Sequence, residues 1–351
     1  MKNYLLLTAS AVLVLSSCSN NEIVENHDLK TDGPKTMNFQ TYVPGATRAL
    51  VEAEEASNAS IEENGFYLFT DQTVLVEGKE EQVKGFMTFD ENNGYVMSGQ
   101  QLQWSTDLNQ EVQFYAVYSA SGQDDNFSIT ETGDYGKVLS GFDLTSGEND
   151  YMIANDTSSY NTANGNVALN FAHILAQVEV RIVGAEAGYD YYVGGVKITA
   201  PKSQSLIMGD TTFVDESETV VYALDEAEVN ISGNVQQGET KVPLQSEYTD
   251  DDVYAKLMVV PGTCSLSMKY LIPIADQGPA GDWLSTGYAI RDGFNTDEID
   301  IEEDGTKDFE VRQGYRNIIT IKLNPKTKAM TFTVTVADWE NENGNGQTID
   351  L

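Results

Sequence analysis

Short apolar runs alternate along the chain with clusters of Gly, Asn and Asp, and the runs are rich in Val, Ile, Phe, Tyr and Thr. That pattern predicts β-strands separated by tight turns, and many such strands in succession predict an all-β sandwich. The clearest runs are 66–69, 85–89, 112–118, 178–183, 196–199, 257–260, 318–323 and 331–336. In the last of these every second residue, Phe332, Val334 and Val336, is apolar while threonines fill the alternate places, so one face is buried and the other polar. Cys264, Leu266, Met268 and Tyr270 likewise share one parity and one face of a strand. Helical periodicity is scarce. Residues 52–56 contain helix formers but almost no apolar face, which predicts an acidic loop or one exposed turn.

The N-terminus breaks the pattern. Lys2 supplies a charged start, Tyr4 to Leu15 an apolar run, and small residues follow, which is the layout of an export signal. The run is too short to cross a bilayer as a helix, for which about 20 apolar residues are needed. Leu15-Ser16-Ser17-Cys18 resembles the lipobox of bacterial lipoproteins, in which the signal is cut before a cysteine whose thiol takes a diacylglycerol. Several fatty chains on one residue would anchor the protein firmly, since each buried methylene contributes about 0.8 kcal/mol. The alternative is an ordinary secretory signal with an incidental cysteine. Residues 19–35 are polar and include Glu22, Glu25, Asp28 and Asp32, as expected of a tether. Turn formers fill 155–166, which is the best linker by composition; a long surface loop within one domain would look the same. The expected division is therefore a signal peptide (1–17), an acidic tether with a first strand (18–48), an N-terminal sandwich (49–160) and a C-terminal sandwich (161–351).

Composition narrows the function. The 351 residues hold 20 Lys+Arg against 55 Asp+Glu, a formal charge of −35, with 40% hydrophobic and 10% aromatic residues. A core of two domains can be built from this, at about 150 residues per domain. Nucleic acid is disfavoured as a partner, because phosphate backbones are bound by clustered Lys and Arg, and the chain has no basic cluster. The same charge should keep monomers apart at low salt. With Cys18 committed to lipid, Cys264 is left alone, no internal disulfide can form, and a small apolar core residue is its expected role.

Enzyme chemistry finds little purchase. There is no phosphate-cradling Gly-x-x-x-x-Gly-Lys, no Gly-x-Gly-x-x-Gly opening a helix and no Gly-x-Ser-x-Gly elbow. His27 and His173 are the only histidines, so no histidine pair stands at metal-ligand spacing, and His173 is expected to be a core or edge residue with a structural hydrogen bond. Asp300-Ile301-Glu302-Glu303-Asp304-Gly305 resembles the start of a calcium loop, but its twelfth position is Val311 rather than glutamate. Asp250-Asp251-Asp252 and Asp124-Asp125-Asn126 could also meet a hard cation, yet in so acidic a chain solvated loops are the expected reading. No cofactor and no metal site are assigned. Most aromatics should be core; Tyr115 and Tyr118 fall on opposite parities, and only Trp283 sits in a loop-like context that would expose it to a glycan.

Several motifs nevertheless fall in a familiar order. A short strand, 37–43, precedes Thr47-Arg48-Ala49; Gln103-Trp104 precedes the Phe-Tyr-Ala strand 112–118; Leu169-Asn170-Phe171-Ala172-His173 gives Leu-x-Phe-x-His. Met258-Val259-Val260-Pro261, Gly314-Tyr315-Arg316-Asn317 and Val336-Ala337-Asp338-Trp339 complete the series. Together, behind a lipobox, they resemble the fimbrillin-like family of surface proteins from Bacteroides-type bacteria. One departure is Ser119-Ala120, where many relatives have proline. The resemblance implies two transthyretin-like β-sandwich domains in tandem, a fimbrial structural, tip or accessory role in cell-surface adhesion, and no enzymatic activity. It implies an outer-membrane lipid anchor at Cys18, cutting by a trypsin-like protease between Arg48 and Ala49, and strand exchange with other fimbrial subunits. An uncut lipoprotein with an ordinary arginine at 48 is the alternative maturation. The donor strand would come from the C-terminus, although 331–336 reads equally as the last strand of the second domain. A monomeric surface lipoprotein binding glycan, or a protein ligand, through exposed aromatics is the alternative function.

Overall fold

Among the described residues strands account for nearly all the regular structure, in five sheets. The computed structural model describes residues 34–43, 60–124, 126–185, 187, 191–214, 218–224, 240–249, 252–273, 288–292, 306–324, 329–338 and 347–349. Cys18, Arg48, Ala49, the 52–56 stretch, Trp283, the acidic loop 300–305 and Trp339 lie outside these residues.

One sheet is antiparallel throughout and runs β10 (Ala172–His173), β8 (Tyr151–Ser158), β5 (Val112–Ser119), β2 (Phe66–Val76), β3 (Lys79–Asp90), β4 (Gly94–Met97). Beside it β1 (Asn38–Tyr42) pairs in parallel with β9 (Asn166–Asn170). A second large sheet runs β17 (Ala255–Val259), β11 (Ala176–Gly184), β21 (Tyr315–Asn324), β22 (Ala329–Asp338), β23 (Gln347–Ile349), with β11 and β21 parallel. Another runs β15 (Glu218–Ala223), β12 (Tyr191–Lys202), β18 (Gly262–Pro273), β19 (Tyr288–Asp292), with β16 (Thr240–Val242) added on β12 and β20 (Thr306–Val311) on β18. The last joins the two ends of the chain's middle: β14 (Thr212–Phe213), β13 (Ser205–Ile207), β7 (Gly136–Ser140), β6 (Ser128–Thr132).

Each predicted run lies in a strand, save that Val260 falls just past the end of β17, and the alternation explains which face is buried. Cys264, Leu266 and Met268 on β18 are buried against Phe309 on β20 and the aliphatic faces of β11 and β21. Phe332 and Val334 on β22 are buried in the same core, but β22 is not the last strand, because β23 continues the sheet beyond it. Tyr118 packs in the core under β1, whereas Tyr115 points to the opposite face of β5, as their parity requires.

The stretch with a linker's composition carries strand ends and a short helical turn. Asn155 to Ser158 finish β8, and Ser159 then caps a single helical turn, Tyr160–Ala163, through a reciprocal bond with Thr162. Asn164, in the left-handed region at φ 50°, ends the turn and releases β9. Polar turn formers thus serve as caps here. Both β9 and β10 pair with strands from earlier in the chain, and Ile174 and Leu175, fully buried, follow before β11 begins.

A shared core stitches the early strands to the late ones. Phe69, Val117, Phe127, Phe142 and Tyr151 pack with Leu206, Met208 and Val260. Nearby, the Tyr222 hydroxyl donates to the Leu144 carbonyl at 2.6 Å and the Met258 amide to the Gly147 carbonyl at 2.7 Å. Gly147 is required at this join: its φ is +70°, and a Cβ there would approach Leu257 and Tyr222 to about 3 Å. Pro34–Leu351 accordingly forms one compact unit.

Candidate functional site

The most distinctive local structure is the seat of β1. Met37, Phe39, Thr41 and Val43 share one parity, with Asn38, Gln40 and Tyr42 between them. Met37, Phe39 and Val43 are buried, Thr41 is half-buried, and Asn38 and Gln40 are exposed, so the strand lays one side chain in two into the core. Its backbone is paired with β9, and the residues just before it, 35–37, bridge to 102–104 on the other side. Along one edge it follows β9 in register from Asn38 opposite Asn166 to Tyr42 opposite Asn170. On the other side the Met37 amide donates to the Leu102 carbonyl at 2.8 Å and the Trp104 amide to the Lys35 carbonyl at 2.7 Å. The end is closed by the Phe171 amide, which donates to the Tyr42 carbonyl at 2.7 Å.

Beneath the strand lies an aromatic floor. The Phe39 ring meets Phe114 edge-on, with centroids 5.9 Å apart, and Phe114 meets Trp104 in the same way at 6.0 Å. Leu102, Val167 and Leu169 complete the apolar lining. One polar contact reaches the floor: Thr41 Oγ1 lies 3.0 Å from the Tyr95 hydroxyl. Burial pushes the Tyr95 phenol up to about 12, the Thr41 bond offsets part of this, and nearby Glu62 adds to it.

The energetics of this seat are finely balanced. Burying Met37, Phe39 and Val43 contributes about 1.5–3 kcal/mol for each side chain. Ordering the backbone of the same segment costs about 1–2 kcal/mol per residue. These two ranges are of similar size, and the backbone hydrogen bonds of β1 to β9 add to the favourable side. Without the strand, β9 and residues 102–104 would present unpaired donors and acceptors beside an apolar trough.

The groups singled out for other chemistry are structural. His173 Nδ1 lies 2.9 Å from Asp150 Oδ2 and ties the short β10 to the residue that leads into β8. Cys264 is buried, and burial, aided by Glu310, pushes its thiol up to about 12, far from a reactive thiolate. Asp252 accepts hydrogen bonds from the Thr249 amide and hydroxyl in a local turn. Among the described residues no group of three His, Cys, Asp or Glu side chains stands ready to hold a metal. Sequence reasoning placed β1 but missed its surroundings. The Val167-x-Leu169 alternation and the Gln103-Trp104 pair are visible signals, yet neither announces that the two segments flank one strand.

A sequence profile described as fimbrillin-like matches residues 47–339, most of the chain. The chain belongs to the fimbrillin-like family. A search of curated proteins gives no match. Among solved structures, a fimbrial protein from Bacteroides vulgatus is 11% identical, with a TM-score of 0.52 covering 87% of this chain and 99% of that one, and it shares the fold. A candidate adhesin from Bacteroides thetaiotaomicron is 13% identical over 89% of this chain and 98% of its own, at a TM-score of 0.45. A candidate cell adhesion protein from Bacteroides uniformis is 14% identical over 88% and 99%, at 0.41. Within this fimbrillin-like chain the matched region opens at residue 47, so β1 precedes it while β9 and residues 102–104 lie inside it.

Proposed function

We propose that this fimbrillin-like chain is a surface fimbrial subunit, of the stalk, tip or accessory kind, that joins its neighbours by strand exchange and serves cell adhesion without catalysis. The observation that carries this reading is the seat of β1, a strand near the start of the chain with one buried face, laid in register along β9 over an aromatic floor. In the mature assembly a trypsin-like protease cuts between Arg48 and Ala49, β1 leaves, and a strand from another subunit takes its place. The incoming strand restores the ladder to β9 and refills the aromatic floor. Before that exchange the precursor is held at the outer membrane through lipid on Cys18, with residues 19–35 as its tether. The same reading keeps two sandwich domains, 49–160 and 161–351, braced by the shared sheet of β6, β7, β13 and β14. With a formal charge of −35 on each chain, polymer yield rises as ionic strength rises.

The decisive experiment is mass spectrometry of the mature N-terminus, taken from the native cell surface. A chain beginning at Ala49 is the expected result. An acylated Cys18 as the sole N-terminus would overturn exchange at the β1 seat and leave an uncut surface lipoprotein.

A further inference from the structure

A second concavity lies on the other face of the antiparallel sheet, away from the β1 seat. It measures about 390 Å³ and is bounded by β2, β3, β5 and the β6–β7 hairpin. Its origin is an irregularity in β2. Phe69 pairs with Lys84 and Thr73 with Gln82, so three residues of β2 stand opposite Val83 alone. Bulges of this kind re-aim side chains and recur beside binding sites.

The bulge is tied down from within. The buried Thr70 hydroxyl donates to the Gln72 carbonyl and accepts from the Val83 amide at 2.9 Å, replacing the ladder bond that the bulge interrupts. Asp71 is thereby turned toward the hairpin, where Oδ1 accepts from the Gln113 amide at 2.8 Å and Oδ2 lies 3.6 Å from Lys137 Nζ. Lys137 in turn sits 4.8 Å over the centre of the Tyr115 ring. Burial works against the charge on Lys137, but Tyr115 and Asp71 outweigh it and hold the ammonium above the ordinary lysine value.

These contacts make a cleft with two different surfaces. Its floor is apolar, from Phe69, Tyr115 and Ile129, while Lys84, Glu131 and Gln82 stand at an exposed rim. The volume lies within the range of about 300–1,000 Å³ usual for small-molecule sites. Two lysines and two carboxylates balance, so the cleft is locally neutral in a chain that is otherwise strongly acidic. An anionic ligand would find one lysine already paired and the field of the whole chain opposed to it. A purely apolar ligand would leave the charged rim desolvated and unpaired. A pyranose ring satisfies both surfaces: its C–H face covers the floor, and its hydroxyls both donate to carboxylates and accept from ammonium and amide groups.

We propose that this cleft binds a neutral sugar residue, with Asp71 and Lys137 as its main hydrogen-bonding pair. The site is independent of whether β1 leaves, so it is available to an uncut chain as well as to a mature subunit.

The test is titration of the full mature chain with neutral methyl glycosides of galactose, glucose, mannose, fucose and N-acetylglucosamine, followed by calorimetry and saturation-transfer NMR. N-acetylneuraminic and glucuronic acids serve as the acidic probes. At least one neutral glycoside is expected to saturate a single site, and both acids to bind more weakly. Lys137→Met and Asp71→Asn are each expected to weaken binding about tenfold or more, as loss of a charge-assisted hydrogen bond predicts. Glu131→Gln, at the exposed rim, leaves the fold untouched and is expected to weaken binding by a smaller factor. Failure of every neutral glycoside to saturate, tighter binding of the acids, or full affinity in folded variants would each overturn the assignment.

Discussion

Two parallel ladders occur among the described residues, and they are built to opposite ends. β1 runs beside β9 near the start of the chain, and β21 runs beside β11 inside a five-stranded sheet. The second is locked by charge. Glu179 on β11 is fully buried and is held by Arg181 on its own strand and by Arg316 on β21, whose Nε lies 2.9 Å from its carboxylate. Next to Arg316, the buried Asn317 donates to the Gln177 and Tyr315 carbonyls and accepts from the Arg312 amide. The first ladder has no ion pair among its described contacts. Besides its backbone pairing, three apolar side chains and the contact of Thr41 with the Tyr95 hydroxyl face the core. A buried ion cluster accepts one geometry and penalises every other, whereas an apolar trough accepts any strand of suitable alternation. Under the strand-exchange proposal, that difference would set a permanent strand apart from a replaceable one.

The sharpest way to break this contrast is Glu179→Ala, which leaves Arg316 buried without its partner. A loss of about 3–5 kcal/mol is expected in urea unfolding; a loss below about 1 kcal/mol would show that the cluster does not lock β21. Phe39→Ala comes next. In the full chain it should cost about 3 kcal/mol, in line with a buried Phe, and in a chain starting at Ala49 the site no longer exists. Hydrogen exchange at the β9 amides reads the effect directly, and unchanged protection in the full-length variant would count against the seat described here.

Asn317→Ala is expected to cost about 1–3 kcal/mol by stranding two carbonyls and an amide. Thermal unfolding measures it, and an effect as small as that of an exposed Asn would remove this residue from the lock. The smallest change is Tyr95→Phe, which keeps the ring and loses the Thr41 bond, for about 1 kcal/mol. It also alters the alkaline limb. The folded chain holds the Tyr95 proton up to about 12, above the ordinary phenol value of 10.0, so its contribution is complete below pH 10 and disappears as pH rises toward 12. Tyr222, likewise pushed up to about 12 by burial, acts in the same direction and is untouched by the substitution. Stability measured by denaturation from pH 9 to 12 should therefore fall less steeply in the variant, and identical slopes would separate Tyr95 from alkaline unfolding.

Much of this architecture is legible locally. Alternation in 331–336 and 264–268 identifies strands and their buried faces, because side-chain parity is a property of one segment alone. The 155–166 stretch misleads for the same reason in reverse: Ser159, Thr162 and Asn164 have the composition of a linker and the positions of helix caps, and only the bonds they make distinguish the two. The sugar cleft was equally hidden. Asp71, Tyr115 and Lys137 are far apart in sequence, and they meet because β2 bulges and the β6–β7 hairpin folds over the sheet.

Periodicity, composition and the ordered motifs were thus enough to establish an all-β chain, its strongly acidic character and its membership of the fimbrillin-like family. Which strands pair lay beyond them. Parallel pairing of β1 with β9, the burial of Glu179 between two arginines and the bracing sheet of β6, β7, β13 and β14 all join segments remote in the chain. A strand's alternation states which face wants burial but not which partner will bury it, and that choice is made by packing when the sheets close on one another.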